Sequence, residues 1–141
     1  MLAEDGEERV DVFFYGLFMD EAVLRGKGLK PRGRRVASVE NYRLHIGARA
    51  TLAPRTGATV HGVVFSLTRG EVEALYSDES VSAYRPEVVG ARLAEGGEAR
   101  VLCYNLPAPP PPGERNPEYA SKLRELAGRT GLPPDYVASI V

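Results

Sequence analysis

Val10-Asp11-Val12-Phe13-Phe14-Tyr15-Gly16-Leu17-Phe18-Met19-Asp20-Glu21-Ala22-Val23-Leu24 is the stretch on which the rest of the chain is organised. Val12 to Tyr15 is a continuous apolar, β-branched and aromatic run, which reads as a buried strand. Gly16 then permits a tight turn, because without Cβ it adopts backbone angles closed to other residues. A short helical pattern follows, with Asp20 and Glu21 in its first turn, where acidic side chains suit the helix dipole. A strand–glycine–helix corner leaves backbone N–H groups unpaired and pointing outward, a natural place for a carboxylate or phosphate. Such corners also occur without any ligand, so the pattern alone does not assign one.

Working outward, a chain of 141 residues suits one domain able to bury its own core. We divide it into a flexible N-terminal tail, residues 1–9, and a single domain, residues 10–141. The tail carries four acidic residues and no apolar segment of the secretory type. A net charge of −1 gives no basic field for nucleic acid or an anionic membrane. No run of about 18 apolar residues indicates a transmembrane helix. Cytoplasmic location is therefore expected. Cys103, the only cysteine, excludes an intrachain disulfide and reads as a small core residue in the strand-like run 100–105. His45 and His61 lie in separate strand-like segments, without second ligands nearby in sequence, so no metal site is expected.

The basic, glycine-rich segment from Gly26 to Arg35 reads as a solvated loop, since it lacks interleaved aromatics. Val36–Val39 and Tyr42–Ile46 read as two short strands. Ala50–Pro54 is closed by Arg55-Thr56-Gly57, and Thr59–Leu67 is the strongest strand in the middle of the chain. Thr68 and Glu71 have capping-box spacing and open a helix that ends near Ser77-Asp78. Val88–Leu93 and Ala99–Leu106 form a hairpin across Glu95-Gly96-Gly97. Pro107 to Pro112 reads as a polyproline-like strap. Asn116-Pro117 starts a helix that runs to Gly128, and a short helix follows Pro133-Pro134. This order predicts an α+β domain on a strongly curved sheet, of the kind that closes as a small barrel.

Four places along the chain resemble the γ-glutamylcyclotransferase-like (AIG2-like) family. Tyr15-Gly16-Leu17-Phe18 resembles its Tyr-Gly-Ser-(Leu/Asn) signature, with Leu17 where the family has serine. Ala50-Thr51-Leu52 through Gly57 to Phe65 resembles its Ala-Thr-(Ile/Leu) strand, turn and Val-x-Gly-Val strand. Leu75-Tyr76-Ser77-Asp78-Glu79 sits where the family has Leu-Asp-x-x-Glu-Gly, and Tyr84-Arg85 matches a tyrosine a few positions on. Tyr104, the proline strap, Tyr119 and Gly131-Leu132-Pro133-x-x-Tyr136 resemble the C-terminal part of the cyclotransferase branch.

The resemblance implies a small mixed β-barrel with flanking α-helices and cofactor-free cyclisation of a γ-glutamyl group to 5-oxoproline. The substrate's own α-amine attacks its γ-carbonyl, so proximity is already intramolecular. A carboxylate moves the protons, and the resemblance selects Glu79, which spacing alone does not favour over Asp78. Partial burial against nearby aromatic side chains is expected to raise its pKa. Tyr15 and Tyr84 are implied to line the pocket, and the N–H groups of Gly16, Leu17 and Phe18 to hold the substrate α-carboxylate. The implied partner is a small γ-glutamyl amino acid or γ-glutamyl amine, bound by a monomer or homodimer. Leu17, together with Ser80 in place of a glycine, motivates an alternative: a non-catalytic binding or regulatory module on the same fold.

Overall fold

A computed structural model describes residues 8–108 and 110–141. Five strands close into a barrel: β1 (Arg9–Phe14), β2 (Arg32–Ile46), β3 (Ala50–Thr68), β4 (Arg85–Leu93) and β5 (Glu98–Asn105), in the order β1-β3-β2-β4-β5. Neighbours are antiparallel except at the closure, where β1 runs parallel to β5 with Val12 opposite Leu102. Among the described residues four α-helices flank the barrel: α1 (Glu21–Gly26), α2 (Arg69–Tyr76), α3 (Pro117–Thr130) and α4 (Pro134–Ser139). The expected mixed barrel with flanking helices is what forms. No helix among the described residues is long and apolar enough to cross a membrane.

The core explains why β1 and β3 lack simple alternation. Val12, Phe13 and Phe14 are all buried, as are Val63, Val64 and Phe65 opposite them. Along these two segments one face fills the barrel and the other is covered, so consecutive positions are apolar. Each such side chain contributes roughly 1.5–3 kcal/mol through burial. Gly62 lets the two strands come close: a Cβ there would stand 2.2 Å from the Phe14 carbonyl oxygen and 2.9 Å from the Phe13 ring. Cys103 is fully buried in β5, and burial pushes its thiol up to about 12.

Local signals set the helix ends. Thr68 and Glu71 form the reciprocal capping box, with Glu71 N–H donating to Thr68 Oγ1 and Thr68 N–H to Glu71 Oε1. Asn116 caps α3 through Oδ1, which accepts from Tyr119 N–H, and Pro117 takes the first helical position. Helix α3 runs two residues past Gly128, to Thr130, and ends on Gly131 at φ 93°. The glycine at 128 sits inside the helix, and the left-handed conformation that stops it belongs to Gly131.

The structure corrects three sequence expectations. The two short strands at 36–39 and 42–46 are one strand, β2, which also takes in Arg32 to Arg35 from the supposed loop. Ala50–Pro54 and Thr59–Leu67 likewise join as β3. Between Glu40 and Tyr42 the register shifts, with Asn41 at φ 69° and its Oδ1 accepting from Gly57 N–H. The turn residues are thus absorbed as an irregularity within the paired strands, because β2 and β3 pair on both sides of it, Val36–Glu40 with Thr59–Val63 and Tyr42–Ile46 with Ala50–Pro54. At the N-terminus, Arg9 already belongs to β1 and Glu8 accepts a hydrogen bond from Arg69 N–H, so the tail does not extend to residue 9. Residues 1–7 lie outside the described residues, as does Pro109 in the expected proline strap.

Candidate functional site

The corner after β1 opens on a cavity of about 250 Å³. Its floor is built from Phe13, Phe14 and Tyr15, continuing the buried strand, with Ala50 from the start of β3. One wall is the 16–18 segment, where Leu17–Met19 makes a single 3-10 turn before Asp20 caps α1 through a bond from Ala22 N–H to its Oδ1. Tyr76 at the end of α2 and Tyr104 in β5 stack face to face at 3.9 Å between centroids and form another wall. Tyr84 and Tyr119 complete the aromatic lining, and the exposed side chains of Lys27 and Arg49 stand at the mouth with Ser80.

Gly16 serves the corner for a reason other than the one its sequence context suggests. Its backbone is extended, at φ −116° and ψ −151°, which any residue adopts. What excludes a side chain is space: a Cβ would lie 2.7 Å from the Tyr119 hydroxyl oxygen. That oxygen accepts a hydrogen bond from Leu17 N–H at 3.3 Å. Of the three N–H groups expected to hold a carboxylate, Leu17's is therefore already engaged by a side chain from α3. The N–H groups of Gly16 and Phe18 donate to no protein group among the described residues. The Leu17 and Phe18 side chains pack against the core, Phe18 edge-on to both Phe14 and Tyr76.

Tyr15 and Tyr84 both reach the cavity, as expected. Their protons are committed to the fold: Tyr15 Oη donates to Tyr104 O at 2.7 Å, and Tyr84 Oη donates to Ala50 O. Burial pushes Tyr84 up to about 12 and Tyr15 well above its ordinary value of 10.0. Both hydroxyls therefore stay protonated at neutral pH, leaving oxygen lone pairs free to accept.

Glu79 departs from expectation. It is exposed in the turn segment 77–83, and the cavity is lined by the next two residues, Ser80 and Val81. Asp78 sets this arrangement, its Oδ1 accepting from Ser80 N–H at 2.9 Å and from Ser80 Oγ at 2.7 Å. These two bonds hold the Asp78 carboxyl below the usual carboxylate range. The partial burial expected for Glu79 is absent, and among the described residues no carboxylate lines the cavity. Nor does any group of three or more His, Cys, Asp or Glu among them fit a metal ion.

Sequence reasoning missed Tyr76, Lys27 and Arg49 as lining residues. Tyr76 falls in the helix that Thr68 and Glu71 open and Lys27 in the segment read as a solvated loop, and no spacing rule joins either to Tyr15. Their convergence comes from barrel closure.

Comparison with known proteins bears on this corner directly. The family model described as "Gamma-glutamyl cyclotransferase, AIG2-like" matches residues 12–122, which include the whole cavity lining. Among solved structures, one titled "Gamma-glutamyl cyclotransferase" is 21% identical with a TM-score of 0.78, covering 95% of this chain and 89% of the other. An uncharacterized protein from Homo sapiens is 24% identical with a TM-score of 0.76, covering 96% and 89%. An AIG2-like protein from Mus musculus is 18% identical with a TM-score of 0.58, covering 79% and 90%. At these identities the structures speak for a shared fold. No curated protein sequence matches the chain.

Proposed function

Since the chain belongs to the gamma-glutamyl cyclotransferase, AIG2-like family, we propose that it cyclises the γ-glutamyl group of a small γ-glutamyl amino acid or amine to 5-oxoproline. The observation that carries this reading is the cavity at the Tyr15–Phe18 corner, a half-open aromatic cleft of about 250 Å³ with polar groups at few points. It suits a short, folded glutamyl chain.

The substrate α-amine attacks the γ-carbonyl carbon, the five-membered ring closes, and the γ C–N bond breaks to release the amino acid or amine. No water is consumed. The aromatic walls hold the chain in its ring-forming conformation and keep water out, which is where most of the gain in an intramolecular reaction lies. The free N–H groups of Gly16 and Phe18 offer the α-carboxylate two donors, and the hydroxyl oxygens of Tyr15 and Tyr84 accept from the amine or the amide.

Glu79 takes the proton from the ammonium and returns it to the departing nitrogen, a role worth about 10²–10⁴-fold. It stands one residue from Ser80 at the mouth, so the 77–83 turn must rearrange around bound substrate to bring it in. Such gating steps are common where a loop completes a site. The reading carries with it cofactor-free chemistry, a cytoplasmic location and a monomer or homodimer.

A second reading is favoured by the absence of a carboxylate from the cavity lining among the described residues. It is a binding module that takes the same γ-glutamyl compounds and leaves them intact. Purified protein incubated with γ-glutamyl dipeptides, γ-glutamyl amines and glutathione, with 5-oxoproline read by mass spectrometry, separates the two. Product that disappears in Glu79→Gln supports cyclisation. Binding without product, in wild type and variant alike, supports the module.

A further inference from the structure

The charges at the cavity mouth point to one class of ligand. The floor is aromatic and buried, with Phe13, Phe14 and Tyr15 exposing 1%, 3% and 7% of their surfaces. At the mouth stand two cations, Lys27 from the end of α1 and Arg49 from the β2–β3 turn, on opposite elements. Lys27 Nζ lies 5.9 Å from the centroid of the Phe18 ring, and Arg49 is next to Ala50, whose carbonyl receives the Tyr84 hydroxyl.

Among the described residues neither cation forms an ion pair within 4.0 Å, and neither side chain donates a hydrogen bond. Asp78 is the acidic group near Lys27, and its Oδ1 already accepts twice from Ser80. Glu79 is the other carboxylate on that turn, and it too lies outside the lining.

A γ-glutamyl amine carries one ammonium and one carboxylate, and a γ-glutamyl amino acid carries an additional carboxylate on the departing side. With the glutamyl chain on the aromatic floor, the departing side lies at the mouth, between two cations with free donors. Resting on the reading proposed above for this cavity, we infer that Lys27 and Arg49 bind a carboxylate on the leaving group, so that the ligand is a γ-glutamyl amino acid rather than a γ-glutamyl amine. An amine leaving group lacking the carboxylate offers neither cation an ionic partner. One that is itself cationic meets like charge, with no carboxylate in the lining to offset it.

γ-Glutamylalanine and γ-glutamylethylamide differ only by that carboxylate. Their dissociation constants for the Glu79→Gln protein, measured by calorimetry, should differ by roughly tenfold in favour of γ-glutamylalanine, the range of one charge-assisted hydrogen bond. Lys27→Met and Arg49→Met, each added to that protein, should shrink the preference while leaving the ethylamide affinity in place. In the wild-type background the same substitutions should raise KM for γ-glutamylalanine more than they lower kcat. Both side chains are exposed, so circular dichroism should find the variants folded.

Equal affinity for the two compounds would overturn the inference even if 5-oxoproline is made. A preference that neither substitution moves would overturn its assignment to Lys27 and Arg49. Selective binding with no 5-oxoproline would uphold the ligand class and defeat cyclisation. Failure to bind either compound would defeat both.

Discussion

The hydroxyl oxygen of Tyr119 accepts a hydrogen bond from the backbone N–H of Leu17, joining residues 102 positions apart in sequence. Through this bond α3 closes one side of the cavity and holds the 16–18 segment in place. The same oxygen would stand 2.7 Å from a Cβ at position 16, whereas the next Tyr119 atom, Cζ, would be 4.0 Å away. The clash therefore belongs to a single atom.

Gly16→Ala should destabilise the protein by roughly 1–3 kcal/mol, as overpacking does. Tyr119→Phe should cost about 1 kcal/mol for the lost hydrogen bond. The double variant should be more stable than the sum of the two losses, since removing the hydroxyl leaves the alanine Cβ at ordinary contact distance. Urea denaturation of the four proteins measures this coupling. Strict additivity would mean that the 16–18 segment shifts away from Tyr119 instead.

Glu79→Gln should leave stability within about 0.5 kcal/mol of wild type, because the residue is exposed and away from buried features. Cyclisation should nevertheless be lost. A stable, inactive variant separates chemistry from folding, and full activity would remove Glu79 from the mechanism.

Alkaline pH should unfold the protein. Burial pushes Tyr84 and Tyr136 up to about 12 in the folded state, against an ordinary 10.0. Below pH 10 both states hold these protons. Between 10 and 12 the unfolded chain releases them while the folded chain does not, so unfolding gains free energy as pH rises. Tyr15 and Tyr76, also raised by burial, act in the same direction. The thermal midpoint should fall steeply from pH 10 to 12. A flat profile across that window would contradict the buried placement of these hydroxyls.

Cys103 should resist a thiol reagent such as dithionitrobenzoate in native buffer at pH 8 and react stoichiometrically in denaturant. Its side chain has no accessible surface, and burial holds its thiol protonated, up to about 12. Fast native-state modification would reveal opening of β5.

The features that depend on neighbours in sequence were legible without the fold. Val12 to Tyr15 is buried strand because an unbroken apolar run has few other soluble uses. Thr68 with Glu71, and Asn116 with Pro117, set helix starts through hydrogen bonds spanning three residues. Glu95-Gly96-Gly97 makes its turn because both glycines take positive φ, 114° and 89°. Family resemblance extended this reach to the barrel and to Tyr15 and Tyr84 at the pocket.

Strand length escaped the sequence, because the residues at Asn41 and Arg55–Gly57 look like a turn until the paired strands absorb them as an irregularity. The purpose of Gly16 escaped it too, since the atom that demands a glycine lies on α3. So did the company kept by Lys27, Arg49 and Tyr76, and the outward position of Glu79, which a two-bond turn at Asp78 decides. By itself the sequence determined which apolar runs are strand and where the capped helices start, because capping, turn chemistry and apolar patterning act over a few residues. Only the tertiary structure decided which side chains share the cavity and which hydroxyl occupies the Leu17 N–H, because closing the barrel brings together groups that no local rule connects.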